Sequence, residues 1–215
     1  MDIKYFDRRS GNYNSELVYN VGSMKFLFDN SIGKFFTNIL FSKYPFSQFY
    51  GSFKDSSHSL TEVPDFIEKY QIDMDDFEEC DYGCFNDFFI RKFRPGVRTF
   101  DRQQKVIHAP CEGRYLAYEK NLALNSFPVK GVHTSAKDLL LSNKWSNTFH
   151  EGPIVICRLA PVDYHRFHFP VTGELLDQYD IDGSLYSVNP ICLNNQPDVF
   201  LRNHRRISIL KSKDY

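Results

Sequence analysis

Tryptophan occurs once and methionine three times, and no stretch of the 215 residues stays apolar for long enough to cross a bilayer. The longest apolar-rich run, Met24 to Phe49, is broken by Lys25, Asp29, Asn30, Lys34, Asn38 and Lys43, so no transmembrane segment is expected. An excess of either charge is missing too. Lys+Arg 26 against Asp+Glu 27 gives a net charge of -1, which removes the basic field that would draw the chain onto nucleic acid or an anionic surface as a whole. Gly 11 and Pro 10, with 42% hydrophobic and 25% charged residues, exclude collagen-like, low-complexity and wholly disordered chains. The amino terminus MDIKYFDRRSGNYN has neither the basic nor the apolar region of a signal peptide. Cys80, Cys84, Cys111, Cys157 and Cys192 form an odd set without CxxC spacing, which points to a reducing compartment, the cytosol. Cys80 and Cys84 lie in the acidic stretch EECDYGC, and no second pair at zinc-ligand spacing follows, so no metal centre is expected.

Aromatic side chains are abundant: Phe 21 and Tyr 13 suit a deep core, or an apolar face against lipid or ligand. The length fits one large domain or two small ones at roughly 150 residues per domain. No internal repeat is visible. From Ser31, the residues Ile32, Phe35, Phe36, Ile39 and Leu40 recur with the period of a helix that has one apolar stripe. A second helix is expected from about Thr61, with Pro64 in its first turn and Val63, Phe66, Ile67 and Tyr70 on one side. The acidic run DMDDFEECD reads as a solvated connection. Beyond Arg98, the short apolar segments KVIHAP, RYLAY, PIVICRLAP and ISIL alternate with turn-formers such as Glu112-Gly113, Val171-Thr172-Gly173 and Asp182-Gly183. That half is expected to be mostly β, with one short helix from Thr134 or Ser135 that turns Leu139 and Leu140 inward. The boundary falls near Pro95 to Arg102, and the fold class is α+β.

Reactive side chains are densest in Arg158-Leu-Ala-Pro-Val-Asp163-Tyr164-His165-Arg166-Phe167-His168-Phe-Pro170. A buried imidazole needs a partner for each nitrogen and titrates near neutrality, so a purely structural stretch rarely spends two. A polar loop between strands is the plainer use. A zinc pair is less suited, because residues three apart on an extended segment face opposite ways unless a bulge intervenes.

This stretch resembles the signature of the phosphatidylserine decarboxylases, pyruvoyl-dependent enzymes that make phosphatidylethanolamine. Phe85-Asn-Asp-Phe-Phe-Ile-Arg-Lys-Phe-Arg-Pro-Gly-Val-Arg98 resembles that family's FNDFFxRKLKPGxRP element, and Val129-Lys130-Gly131 with Leu139-Leu140 resembles its VKG and LL segment. Leu185-Tyr186-Ser187-Val188-Asn189-Pro190 and Asp198-Val-Phe, with Asn203, Arg205 and Arg206, follow in family order. The early YFDRRSGNYNSE is similar to the family's amino-terminal region.

The resemblance implies a self-processing proenzyme, in which a Gly-Ser bond cleaves itself and the serine becomes a pyruvoyl group on a short α chain. The pyruvoyl ketone is the electron sink for loss of carbon dioxide. His168 matches the family's base for self-cleavage, and His165 the histidine of decarboxylation and proton handling. Glu112, in Ala109-Pro110-Cys111-Glu112-Gly113, stands where the family has an aspartate that orients the base; a turn residue before Gly113 is the plainer reading. None of the pairs Gly22-Ser23, Gly51-Ser52 and Gly183-Ser184 substitutes for the cleavage site, so the pyruvoyl serine is not in this sequence and the chain alone is expected to be inactive. Its expected partners are phosphatidylserine in a membrane and a carboxyl-terminal pyruvoyl α chain, with no nucleic acid, and its location is cytoplasmic and peripheral to the membrane.

Residues 1–98 are then expected to form a helical, membrane-contacting region and residues 99–215 a β-rich catalytic domain. Arg91, Lys92, Arg94 and Arg98 stand as headgroup contacts or as a solvated basic loop. The Phe26 to Leu40 stripe lies either in a bilayer interface or against the β domain. Two other functions compete: a lipid-binding protein without catalysis, and a metal-dependent hydrolase built on His165, His168, Asp163 and Glu112.

Overall fold

The computed structural model describes residues 3–18, 21–100, 106–119, 127–129 and 132–213. Lys105, Lys130, Gly131 and the Asp101-Arg102 end of the expected boundary lie outside the described residues. The architecture is α+β, with small antiparallel sheets and short helices.

A hairpin of β1 (Lys4–Asp7) and β2 (Asn12–Ser15) leads into α1 (Val21–Asp29) and α2 (Ser31–Phe36). The Asn30 side chain caps α2 by accepting from Ile32 N–H at 2.8 Å. Gly33 lets the two helices cross closely, since a Cβ there would run into the Phe26 carbonyl oxygen. A π-helical turn at Thr37–Phe41 and α3 (Tyr44–Lys54) follow. The expected second helix is α4 (Glu62–Tyr70), entered through a 3-10 turn at Ser57–Thr61. It buries Val63, Phe66 and Tyr70 against Phe85 and Phe88 of α5 (Phe85–Phe89), forming one core. Full burial of a phenylalanine such as Phe88 contributes about 1.5–3 kcal/mol.

The acidic connection is not simply solvated. Phe77, in its middle, is buried, stacks on Phe93 at 4.8 Å between ring centroids, and pins the run to the segment after α5.

In the second half, β3 (Arg114–Tyr118) pairs antiparallel with β6 (Ile154–Arg158). Strands β4 (Phe127–Val129) and β5 (Val132–Thr134) form a hairpin, while β7 (Gly173–Ile181) and β8 (Arg205–Ser212) form the longest ladder, bulged between Leu175 and Asp177. The expected short helix is α6 (Ala136–Leu140), closed by a reciprocal capping box between Ser135 and Asp138. Leu139 and Leu140 are half-buried.

Three further helices depart from the expectation of one: α7 (Asn143–Phe149), α8 (Pro190–Asn195) and α9 (Val199–Arg202). Helix α8 starts with Asn189, which accepts from Ile191 N–H at 2.9 Å, and with Pro190 at its first position. It buries Ile191, Cys192 and Leu193 with Tyr186, Val199 and Phe28 of α1. This second core joins the amino-terminal helices to the carboxyl-terminal half. Among the described residues no helix is long and apolar enough to cross a membrane.

Candidate active site

Strand β6 ends at Arg158 and delivers the chain into the histidine loop. The first half of that loop is locked by ion pairs. Asp163 accepts from the Ala160 N–H at 2.6 Å and from the Arg114 guanidinium. Arg114 also lies 3.7 Å from the Glu16 carboxylate, which takes a hydrogen bond from Arg158. The Glu16 side chain is only 3% exposed, so it and the two guanidiniums beside it share a desolvated setting. His165 Nε2 lies 2.9 Å from the Ala160 carbonyl oxygen. A carbonyl only accepts, so Nε2 carries the proton and Nδ1 is the basic nitrogen of the neutral ring. Phe89 stacks on this imidazole at 4.0 Å between ring centroids, and burial lowers its pKa below the ordinary value.

His168 sits differently. Its backbone N–H donates to the Pro110 carbonyl at 2.9 Å, while His108 N–H donates to Pro170, so the stretches 108–110 and 168–170 run side by side. His168 Nε2 is buried and has no hydrogen-bond partner among the described residues, and Phe100 meets the ring edge-on at 4.7 Å. Burial, and then the neighbouring His108, lower its pKa, so the ring is neutral at physiological pH. A neutral, unpartnered imidazole nitrogen can accept a proton.

The expected third member of the triad is turned elsewhere. The backbone hydrogen bond from His168 to Pro110 brings the Glu112 turn close to the histidine loop, but the Glu112 carboxylate accepts from Arg98 Nε at 2.8 Å and from Arg9 Nη2 at 3.1 Å. Two guanidiniums give it charge-assisted hydrogen bonds, which outweigh one to a neutral imidazole. The four residues of the hydrolase reading do not converge either: His165 is engaged by Ala160, Asp163 by Arg114 and Glu112 by Arg98, while His168 Nε2 has no partner among the described residues.

The basic cluster needs a correction. Arg91 does not face outward; it is 2% exposed, donates to the Val162 carbonyl at 3.0 Å, and lies over the rings of Phe77 and Phe88. Arg94 bonds the Phe77 carbonyl at 2.8 Å, and Arg98 bridges Glu112 and Asp76 while covering Phe93. Lys92 is exposed. The arginines of this element therefore bind the protein itself, and Arg91 supports the floor of the histidine loop.

A cleft of about 940 Å³ opens beside His165, within the size range of small-molecule sites. Phe26 and Leu27 of α1, Phe41, Phe46 and Tyr186 give it apolar walls, with Arg158 at its edge. Tyr186 is held by Asn203, which accepts from its N–H at 2.9 Å and donates to its carbonyl at 2.8 Å, and its hydroxyl donates to Asn38 at 2.7 Å.

The family model for phosphatidylserine decarboxylase matches residues 85–215, a span that holds both histidines, Glu112 and the Tyr186 segment. The chain belongs to the phosphatidylserine decarboxylase family. The phosphatidylserine decarboxylase proenzyme of Clostridium botulinum (strain Alaska E43 / Type E3) is 35% identical over 215 residues, which cover 99% of this chain and 73% of the relative. That of Clostridium kluyveri is 38% identical with 99% and 73% covered, and that of Fusobacterium nucleatum 34% identical with 99% and 72% covered.

Sequence reasoning did not single out Glu16 or Arg114 as supports of a decarboxylase-family site. Glu16 is the last residue of the YFDRRSGNYNSE element, and no local pattern announces a partner as distant as Arg158.

Proposed function

We propose that the chain takes part in converting phosphatidylserine to phosphatidylethanolamine and carbon dioxide, at a membrane surface and together with a carboxyl-terminal segment that bears a pyruvoyl group. The buried Nε2 of His168, which has no hydrogen-bond partner among the described residues, carries this reading, because self-cleavage needs a neutral base free to take a serine proton. The group would supply a ketone that draws off the electrons left when carbon dioxide departs.

The chain's own residues divide the remaining work. His168 takes the hydroxyl proton during processing. His165, with Nε2–H committed to Ala160, presents Nδ1 for proton handling during turnover. The aromatic cleft accommodates apolar substrate, and the stripe of Ile32, Phe35 and Ile39, 62%, 60% and 57% exposed, supports contact with lipid on the same helical layer. Lipid binding without turnover is the second reading, favoured by the commitment of Glu112 to Arg98 and Arg9.

The test fuses the carboxyl-terminal segment of the Clostridium botulinum relative after Tyr215. Chain cleavage is followed on denaturing gels and carbon dioxide release from phosphatidylserine vesicles. His168→Ala should leave one uncut chain. His165→Ala should still be cut but release carbon dioxide roughly 100-fold more slowly or worse. Cleavage of His168→Ala at the unsubstituted rate would overturn the assignment, and an uncut, vesicle-bound parent would favour the second reading.

A further inference from the structure

Beside the histidine loop, two thiols meet. Cys111 lies in the turn before β3, and Cys157 lies on β6 opposite Tyr115. Both are free, both are half-buried, and their Sγ atoms are 3.3 Å apart. The contact is built from both sides. The Tyr115 hydroxyl donates to the Cys111 carbonyl oxygen, and Cys111 N–H donates back to that hydroxyl at 3.4 Å, which fixes the Cys111 backbone over the strand. Gly113 makes the room: a Cβ there would stand 2.7 Å from Cys157 Sγ and 2.8 Å from the Arg158 carbonyl oxygen.

We propose that Cys111 and Cys157 are an oxidation site that a hydroperoxide converts reversibly to an intramolecular disulfide. The Cys111 thiolate attacks the terminal oxygen of the hydroperoxide, the O–O bond breaks, and the departing oxygen takes up a proton and leaves as water from hydrogen peroxide or as an alcohol from an organic hydroperoxide, giving a sulfenic acid. Cys157, deprotonated at this stage, attacks the Cys111 sulfur. The S–O bond breaks, the oxygen takes up a proton and leaves as water, and the two thiols have given up two electrons and two protons in all. A dithiol reverses the change by exchange.

Burial pushes the Cys157 thiol up to about 11, so the first attack falls to Cys111 and Cys157 resolves the sulfenic acid. Closing the gap from 3.3 Å to a bond of about 2.05 Å requires the Cys111 side chain to rotate within its turn. The bond ties the turn that carries Glu112 to the strand that feeds the histidine loop. The proposal is independent of the decarboxylase reading, because its readout is covalent.

The experiment treats the purified chain with hydrogen peroxide and maps tryptic peptides without reduction. The expected product joins Val106–Arg114 to Trp145–Arg158 and disappears on treatment with dithiothreitol. It should form roughly tenfold faster than any modification of the buried Cys84 and Cys192. Cys157→Ser should stop Cys111 at the sulfenic acid, trapped by a dimedone-type reagent, and Cys111→Ser should leave Cys157 a thiol. Cys111 advancing to sulfinic acid in the unsubstituted chain while Cys157 stays reduced would overturn the proposal. So would crosslinks confined to other cysteines.

Discussion

Helices α2 and α4 carry apolar residues at the same period, yet only α4 is covered. Val63, Phe66 and Tyr70 are 7%, 6% and 7% exposed, packed against α5, whereas Ile32, Phe35 and Ile39 stand mostly in solvent on α2 and the turn after it. Periodicity fixes which residues share a face; it does not say what meets that face. The same contrast runs through the charges, where Glu16 is enclosed and Glu112 is open, and through the imidazoles, where His165 is bonded and His168 Nε2 is not.

Substitutions that strike both members of a pair sharpen the contrast, and the apolar pair has the largest expected effect. Phe66→Ala removes a ring that contacts Tyr70, Phe85 and Phe88, and should cost about 3–5 kcal/mol. Phe35→Ala should stay within about 0.5 kcal/mol, since its ring has little cover to lose. Equal shifts in urea unfolding would mean that something covers the α2 face in solution.

The carboxylates come next. Glu16→Ala leaves the Arg158 and Arg114 guanidiniums, 15% and 19% exposed, without their shared counter-charge, at an expected cost of about 3–5 kcal/mol, the lower end applying if water reaches them. Glu112→Gln, at a site about one-third exposed, should cost about 0–1 kcal/mol, and added salt should erase the difference. Chemical denaturation of both variants at low and high salt checks the pair. A Glu112→Gln loss as large as that of Glu16→Ala would show that the Arg9 and Arg98 contacts hold the fold rather than the surface.

These contrasts also mark what the sequence makes legible. Helix α4, the Ser135 cap and the concentration of chemistry at 158–170 are written locally, in period, capping residues and composition. Helix α8 carries a local signal as well, Asn189 before Pro190, within a stretch whose motif value draws the eye first. The burial of Arg91 has no such signal: a basic residue amid Lys92 and Arg94 turns inward because Phe77 and Phe88 offer ring faces and Val162 a carbonyl, and all three are supplied by folding. Glu112 shows the same limit at the site, since its position in the chain is readable and the direction of its carboxylate is decided by Arg98 together with Arg9, the latter 103 residues away.

A smaller effect tests what covers α2. If lipid does, the double substitution Phe35→Glu with Ile39→Glu should weaken retention on phosphatidylserine-containing vesicles roughly tenfold, about 1.4 kcal/mol, without changing the unfolding midpoint. Flotation at low salt reads the first and thermal unfolding the second. Unchanged flotation would reassign the stripe to contact with protein.

The smallest effect separates the two imidazoles by pH. Both have folded-state pKa values below the ordinary 6.5, in each case chiefly through burial. Between the folded value and 6.5 the unfolded chain therefore binds a proton that the folded chain does not, so stability rises with pH across that window and falls as pH drops below about 6.5. Solvent screening holds the two together to about 1 kcal/mol between pH 6.5 and 5.5. His165 is the more enclosed, with Arg91 and its burial opposing a charge and only Ala160 and Asp163 favouring one, so His165→Gln should flatten this acid limb more than His168→Gln does. Urea midpoints for the three proteins at half-unit steps measure the slopes. An acid limb flattened more by His168→Gln would place the greater desolvation at the unpartnered ring, and would make that ring the harder of the two to charge during processing.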